Sequence, residues 1–320
     1  MYTFGISCKP LPSSLSLQSA LEPKHDTRIK NINPELRHSI NKAKLDIELV
    51  YHFGDWDFVK TLTNPFELIY PWPWTKSQAS ICPEIIRHGC CDYEPLSRSF
   101  FKMVEMGNVF LVDRLIRTTS RSIKTLHLAE GPGGFIEGIL YLRKQYVGHL
   151  QPGDLYYGMT LLDKGDNVPG WKKSARFLHA NPNVILLNGH DGTGDLYVTE
   201  NLRYLRDRFH GKMDLVTADG GFDFSVNYNS QEYLSSRLIF AEIIGAFATL
   251  RPGGAFICKI FDIINRLTVD FIYLLQCKFQ YIHIYKPKTS RLANSEKYII
   301  CLGFQGCTTA ELDALMTVAH

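Results

Sequence analysis

Beyond Arg98 the chain alternates short apolar runs with stretches whose apolar residues recur every three or four positions. The runs predict strands over 123–129, 154–160, 183–187, 213–218, 254–260, 279–285 and 297–303. The spaced stretches predict helices over 97–116, 134–146, 196–209, 231–250 and 267–277. Strands separated by helices form a mostly parallel sheet covered on both faces. Only the 286–296 loop joins the last two strands, so these form an antiparallel pair. Upstream the pattern differs. Leu36, Ile40, Ala43, Ile47 and Val50 predict a helix from Pro34 to Tyr51, and the Ser/Pro-rich stretch 10–19 predicts a mobile start. Proline density in the aromatic segment Tyr51 to Trp74 excludes regular structure there. The expected division is an N-terminal extension over 1–95, an α/β domain over 96–305 and a tail over 306–320.

Composition changes this picture little. Of 320 residues, 45% are hydrophobic and 21% charged, enough for a buried core, and the net charge of +3 does not by itself argue for nucleic acid. Local charge says more. Between 278 and 297, Lys278, Lys286, Lys288, Arg291 and Lys297 face Glu296 alone, a basic strip suited to a polyanion. The first ten residues lack a basic and then apolar leader pattern, and no apolar run reaches the ~18 residues needed to span a bilayer. The expectation is an intracellular protein of cytoplasm or nucleus, not secreted and not in a membrane. Cys82, His88, Cys90 and Cys91 cluster without C-x-x-C spacing, so reduced thiols are expected rather than a metal site.

A glycine turn, Glu130-Gly131-Pro132-Gly133-Gly134-Phe135, links the first strand to its helix. Glycines there let a ligand approach the backbone, and a helix N-terminus favours an anion. The turn lacks the Gly-Lys-Ser/Thr of a phosphate loop and the third glycine of the dinucleotide fingerprint. Thr160, not an acid, ends the second strand, which argues against a dehydrogenase. A ligand with a carboxylate and no phosphate, such as S-adenosylmethionine, fits better. Asp195 of Gly192-Thr193-Gly194-Asp195 follows the third strand, placed either to accept an adenine amine or to cap the helix from Leu196. A seven-stranded sheet of this kind is the Rossmann-like α/β fold in its methyltransferase form.

Four segments bring one titratable residue each to strand ends or an adjacent helix: Lys102, Asp219, Lys259 and Glu296. Two lysines with two carboxylates compose a base-generating site. A lysine acts as base only if its pKa falls from ~10.4 toward neutrality; burial plus a second ammonium push that way, while carboxylates push back and orient the amine. Lys259 is read as the base, Lys102 and Glu296 as tuning and positioning it, and Asp219 as the orienting carboxylate, with no metal required.

These residues resemble the FtsJ-like ribose 2′-O-methyltransferase family, marked by a Lys-Asp-Lys-Glu tetrad. The resemblance spans about 97–304. Ser97-Arg98-Ser99-Phe100-Phe101-Lys102 looks like its first-lysine helix, residues 130–135 its cofactor loop, and Asp219-Gly220-Gly221 its acidic strand end. Ala218–Phe222, Cys258–Asp262, the Lys286–Tyr298 loop and Asn64-Pro65-Phe66-Glu67 look most like the mRNA-cap methyltransferases of eukaryotes and large viruses. His127 and Thr160 depart from the acids found there in many members. The resemblance implies S-adenosyl-L-methionine as methyl donor, S-adenosyl-L-homocysteine as product, and transfer to the 2′-hydroxyl of the first transcribed nucleotide of capped RNA. It also implies other capping enzymes or a polymerase as partners. Cofactor residues are then Glu130, Gly131, Pro132, Gly133, Gly134, Phe135, Thr160, Asp195 and Asp219. RNA or cap contacts are Arg98, Phe222, Arg266, Lys286, Lys288, Ser290 and Arg291, with Ser290 and Asn294 equally suited to capping their own loop. Aromatic candidates for stacking on a methylated guanine are Trp56, Phe66, Tyr70, Trp72, Trp74, Phe222, Phe224 and Tyr228. Two other readings stay open: an internal ribose of ribosomal or transfer RNA as substrate, and a non-catalytic RNA-binding subunit.

Overall fold

The computed structural model describes residues 4–6, 33–51, 95–149, 151–162, 170–221, 231–291 and 294–319. Its strands are β1 (Phe4–Ile6), β2 (Lys124–Leu128), β3 (Leu155–Met159), β4 (Val184–Leu187), β5 (Met213–Ala218), β6 (Leu250–Ile260), β7 (Phe279–Tyr285) and β8 (Lys297–Phe304). They form one sheet in the order β1-β7-β8-β6-β5-β2-β3-β4. Strands β4, β3, β2, β5 and β6 run parallel, while β8 lies antiparallel between β6 and β7. All seven expected strands are present. The eighth, β1, comes from a region where no strand was expected, and at three residues it is too short to show alternation.

Helices Ser99–Met106 and Gly134–Val147 cover one face, the first continuing in wider π-type turns over Gly107–Ile116. Helices Thr199–Phe209, Ser236–Thr249, Arg266–Lys278 and Thr309–Val318 cover the other. Alternation along the strands builds both cores. In β6, Ala255 and Ile257 face the first layer and Phe256, Cys258 and Ile260 the second. Each such fully buried large apolar side chain contributes ~1.5–3 kcal/mol.

Several boundaries shift. The helix expected over 231–250 breaks into Gln231–Leu234 and Ser236–Thr249, and the one expected from 196 begins at Thr199. Ala175–Ala180 is an additional short helix. The expected tail holds the helix Thr309–Val318, opened by a Thr308/Glu311 capping box and buried through Leu312, Leu315 and Met316. Upstream, helix Pro34–Tyr51 forms where its periodicity put it, yet Leu36 and Leu45 stay 48% and 52% exposed. Lys44 ties it to the loop after β6 through Asp262 at 2.7 Å.

Candidate active site

The order of the sheet reverses at β2, whose neighbours are β3 on one side and β5 on the other. A crevice for ligands opens at the carboxyl ends of strands at such a reversal. The register Ala218↔Cys258 sets Asp219, the residue after β5, beside Lys259 of β6. The antiparallel register Lys259↔Tyr298 brings Glu296, just before β8, to the same end. Helix Ser99–Met106 buries Phe100, Met103 and Met106 against this face and carries Lys102 to the rim.

The four residues meet. Lys102 Nζ lies 3.2 Å from Glu296 Oε1 and 3.7 Å from Asp219 Oδ2. Lys259 Nζ lies 3.4 Å from Asp219 Oδ1 and donates to the Asp219 carbonyl at 2.8 Å. All four side chains are only 11–14% exposed. Tyr298, opposite Lys259, donates its hydroxyl to Asp219 Oδ1 at 2.7 Å, and Ser290 donates to Glu296 Oε1 at 2.8 Å. Gly221 leaves room for this amine, since a Cβ there would sit 2.9 Å from Lys259 Nζ and push it aside.

The electrostatics correct one expectation. Burial does push Lys259 down, but Asp219, Glu296 and Glu242 together push harder, and its pKa ends above the ordinary lysine value. Burial pushes Glu296 up, while Lys102 and Lys259 bring it far below the usual carboxylate range. The cluster is therefore a set of matched ion pairs, not a lysine already poised as a free amine.

The glycine turn holds a second correction. Gly133 takes φ 111°, a left-handed value that suits glycine. The helix amides behind it do not await a ligand, because Glu130 Oε1 accepts from Phe135 N at 2.7 Å and Ile136 N at 3.2 Å. The other oxygen, Glu130 Oε2, is buried without a hydrogen-bond partner among the described residues. Burial, with Asp219 nearby, raises the Glu130 carboxyl well above its usual range. Gly131, Pro132 and Gly134 line the same turn, where Ser174 donates to the Pro132 carbonyl. Phe135 packs against Tyr298, with ring centroids 5.9 Å apart.

Thr160 is buried at the end of β3, in the next loop over. Leu162 N donates to the Thr193 carbonyl at 2.7 Å, joining that loop to Gly192–Asp195. Asp195 does not cap a helix. Its Oδ1 accepts from Tyr197 N at 2.8 Å in a local turn, two residues before the helix begins. Asn201 braces this loop, accepting from His190 N at 2.6 Å and donating to the Asp195 carbonyl at 2.9 Å. His127 sits fully buried between Thr125 and Thr217, its pKa lowered by burial to about 3, so it is neutral structure.

The basic residues divide. Arg98 donates to the Thr289 carbonyl at 3.4 Å, and burial followed by Arg291 lowers it to about 10. Lys286 turns inward to the Asn294 and Glu296 carbonyls at 2.9 and 2.6 Å, with its pKa lowered by burial to about 8. Ser290 is likewise turned in toward Glu296. Lys288 and Arg291 are exposed, and Arg266, on the rim, is 69% exposed and paired with Asp270. Phe222, the other aromatic candidates and the Cys82–Cys91 cluster lie outside the described residues. Among the described residues no group of three His, Cys, Asp or Glu could hold a metal, and no helix is long and apolar enough to cross a membrane.

Sequence reading missed Tyr298 and Glu242. Tyr298 stands two residues past Glu296, the spacing that returns a side chain to the same side of a strand. Glu242 is the lone carboxylate in the apolar run Ile239–Gly245, and it receives the Cys258 thiol at 3.6 Å from behind the sheet.

The family model for FtsJ-like methyltransferases matches residues 95–304. The chain belongs to this family. The cap-specific mRNA (nucleoside-2′-O-)-methyltransferase 1 of Trypanosoma cruzi is 37% identical over 180 residues, 55% of this chain and 46% of the relative. The cap-specific mRNA (nucleoside-2′-O-)-methyltransferase 2 of Mus musculus is 35% identical over 303 residues, 93% of this chain and 36% of the relative. A solved ribosomal RNA methyltransferase of Plasmodium falciparum, 20% identical, covers 66% of this chain and 99% of its own at a TM-score of 0.46. The chain spans less than half the length of the two curated relatives.

Proposed function

We propose that this FtsJ-like chain moves a methyl group from S-adenosyl-L-methionine to the 2′-hydroxyl of the first transcribed nucleotide of capped mRNA. The observation that carries this is the Lys102–Asp219–Lys259–Glu296 cluster, set at the strand ends beside the glycine turn. The likeness to cap-specific relatives supports the capped substrate.

When bound, the cofactor supplies an electrophilic methyl group. The residues present fit it: the unpartnered Glu130 Oε2 is a buried acceptor suited to the cofactor's ammonium, and Asp195 and Thr160 border the same crevice. Lys259, as free amine, takes the proton of the ribose hydroxyl, and Asp219 and Tyr298 fix where that amine points. Lys102 and Glu296 hold each other and complete the wall. The carboxylates that raise Lys259 oppose its deprotonation, so any positive charge entering the crevice works in favour of the base. Lys288, Arg291, Arg98 and Arg266 are the cations at hand for phosphates. The same reading makes the protein intracellular and a companion of other capping enzymes or a polymerase.

The test is methyl transfer from labelled cofactor to one short RNA bearing an N7-methylated cap, an unmethylated cap or a bare triphosphate. Transfer confined to capped RNA, at the first 2′-oxygen, is expected. Equal transfer to all three would move the substrate to an internal ribose. Lys259→Ala is expected to abolish transfer with cofactor binding nearly intact, and retained turnover would overturn its role as base.

A further inference from the structure

The helix bearing Lys102 presents three charged residues spaced by four and then three, Arg98, Lys102 and Glu105, which share one helical face. All three engage the segment between β7 and β8. Arg98 reaches the Thr289 carbonyl and Lys102 pairs with Glu296. Glu105 does more. Its Oε1 accepts from the Tyr285 hydroxyl at 2.6 Å and Lys288 N at 2.8 Å. Its Oε2 accepts from Thr289 N at 3.0 Å and Thr289 Oγ1 at 2.8 Å. None of these partners belongs to the tetrad.

We propose that Glu105 is a positioning residue for substrate: it locks the basic loop 286–291 to the Lys102 helix, so that Lys288, Arg291 and Glu296 meet a polyanion in one register. This rests on the reading of the site as an RNA methyltransferase. Lys286, Lys288 and Arg291 put three like charges within six residues of this loop, so a carboxylate that accepts from its backbone offsets their repulsion as it holds it. A carboxylate suits the task because it only accepts, and its bonds to backbone N–H are charge-assisted. Fixing the loop before RNA arrives spares the binding step that ordering entropy. The anchor also sets Ser290, the next residue, whose hydroxyl holds Glu296.

The decisive comparison is wild type against Glu105→Gln, whose amide brings donors where the loop also presents donors. Amide hydrogen exchange at Lys288 and Thr289 is expected to quicken about tenfold or more, and KM for capped RNA to rise about ten- to a hundredfold, as for lost bonds to a charged group. A kcat within about threefold of wild type and an unchanged cofactor affinity complete the expected pattern. Glu105→Asp is expected to restore part of the RNA affinity. Unchanged exchange at the two amides would overturn the proposal, as would a fall in kcat at unchanged KM. If Glu105→Gln folds poorly, Thr289→Val removes the hydroxyl bond alone, and an RNA KM equal to wild type would count against the lock. Should wild type bind capped RNA without methylating it, the reading of the reaction fails by itself. RNA affinity of the two proteins then decides on Glu105, equal values overturning its role.

Discussion

Asp219→Asn separates the charge of the tetrad from its shape. The substitution keeps the Asp219 carbonyl that Lys259 Nζ meets at 2.8 Å, and an amide oxygen remains for the Tyr298 hydroxyl. It deletes a negative charge 3.4 Å from Lys259 Nζ. At that separation and an effective dielectric constant of ~20, the Coulomb interaction is about 5 kcal/mol, a ceiling that solvent at the crevice lowers. Carboxylate neighbours at such range shift a partner by ~1–3 pK units, so we expect Lys259 to fall by about two. Lys102, 3.7 Å from the same carboxylate, keeps only Glu296 as counter-charge, so its ammonium opposes that of Lys259 more strongly, which adds in the same direction. A less stable ammonium gives up its proton at lower pH. Single-turnover methyl transfer at saturating RNA and cofactor, followed from roughly pH 6 to 10, should show the rising limb displaced about two units toward acid. The plateau should fall, because the amine is less firmly aimed. A limb that stays in place, or moves toward alkali, would refute the idea that these carboxylates set the basicity of Lys259.

Three further outcomes are expected. Glu242, raised by burial to about 8 against the opposing charge of Lys259, has a folded pKa above its unfolded one. Its contribution is therefore undiminished below pH ~4.5 and is lost progressively as pH climbs toward 8, by at most about 5 kcal/mol. Urea unfolding of Glu242→Gln should lack that decline, and a slope equal to wild type would contradict it. Glu130→Gln should weaken cofactor binding about ten- to a hundredfold by calorimetry, since an amide cannot give up a proton to become the counter-charge of an incoming ammonium; unchanged affinity would exclude Glu130 as a cofactor contact. Asp154→Ala strips the fully buried Arg143 of carboxylate partners at 2.8 and 3.2 Å, and should lose ~3–5 kcal/mol, a melting shift of about 10 °C; a shift under about 2 °C would show that the pair is not critical.

Much of this was legible in the chain because the central strands are short, mostly apolar runs bounded by glycine, proline or charge, even where a polar residue such as His127 or Asp214 interrupts them. Asp219, Lys259 and Glu296 were legible for a related reason, since each is a charged residue at or beside the end of such a run, while Lys102 stood out as the one cation in the helix Ser99–Met106. The helix Thr309–Val318 could have been read: Thr308-Thr309-Ala310-Glu311 is a capping box and Leu312, Leu315 and Met316 keep helical spacing. Strand Phe4–Ile6 could not, because three residues carry no period. The basicity of Lys259 was also out of reach, being set by distances to three carboxylates from separate elements. Likewise, nothing in Glu130-Gly131-Pro132-Gly133-Gly134 says that Glu130 folds back onto the amides of Phe135 and Ile136.

The antiparallel seat of β8 also fixes the order in which the molecule can be completed during synthesis. Strands β2 to β6 can pair as they emerge, since each parallel neighbour has already been made. Strand β7 cannot join β6, because the gap between them belongs to residues 297–304. Until those residues leave the ribosome, β6 keeps an open edge, and Lys102, Asp219 and Lys259 lack Glu296. Until residues 297–304 are made, the nascent chain therefore carries an unpaired apolar edge, for which chaperones and premature pairing compete. On the proposed reading the site waits for the same residues, so a chain arrested before residue 296 is both unfinished in its sheet and without its fourth charge.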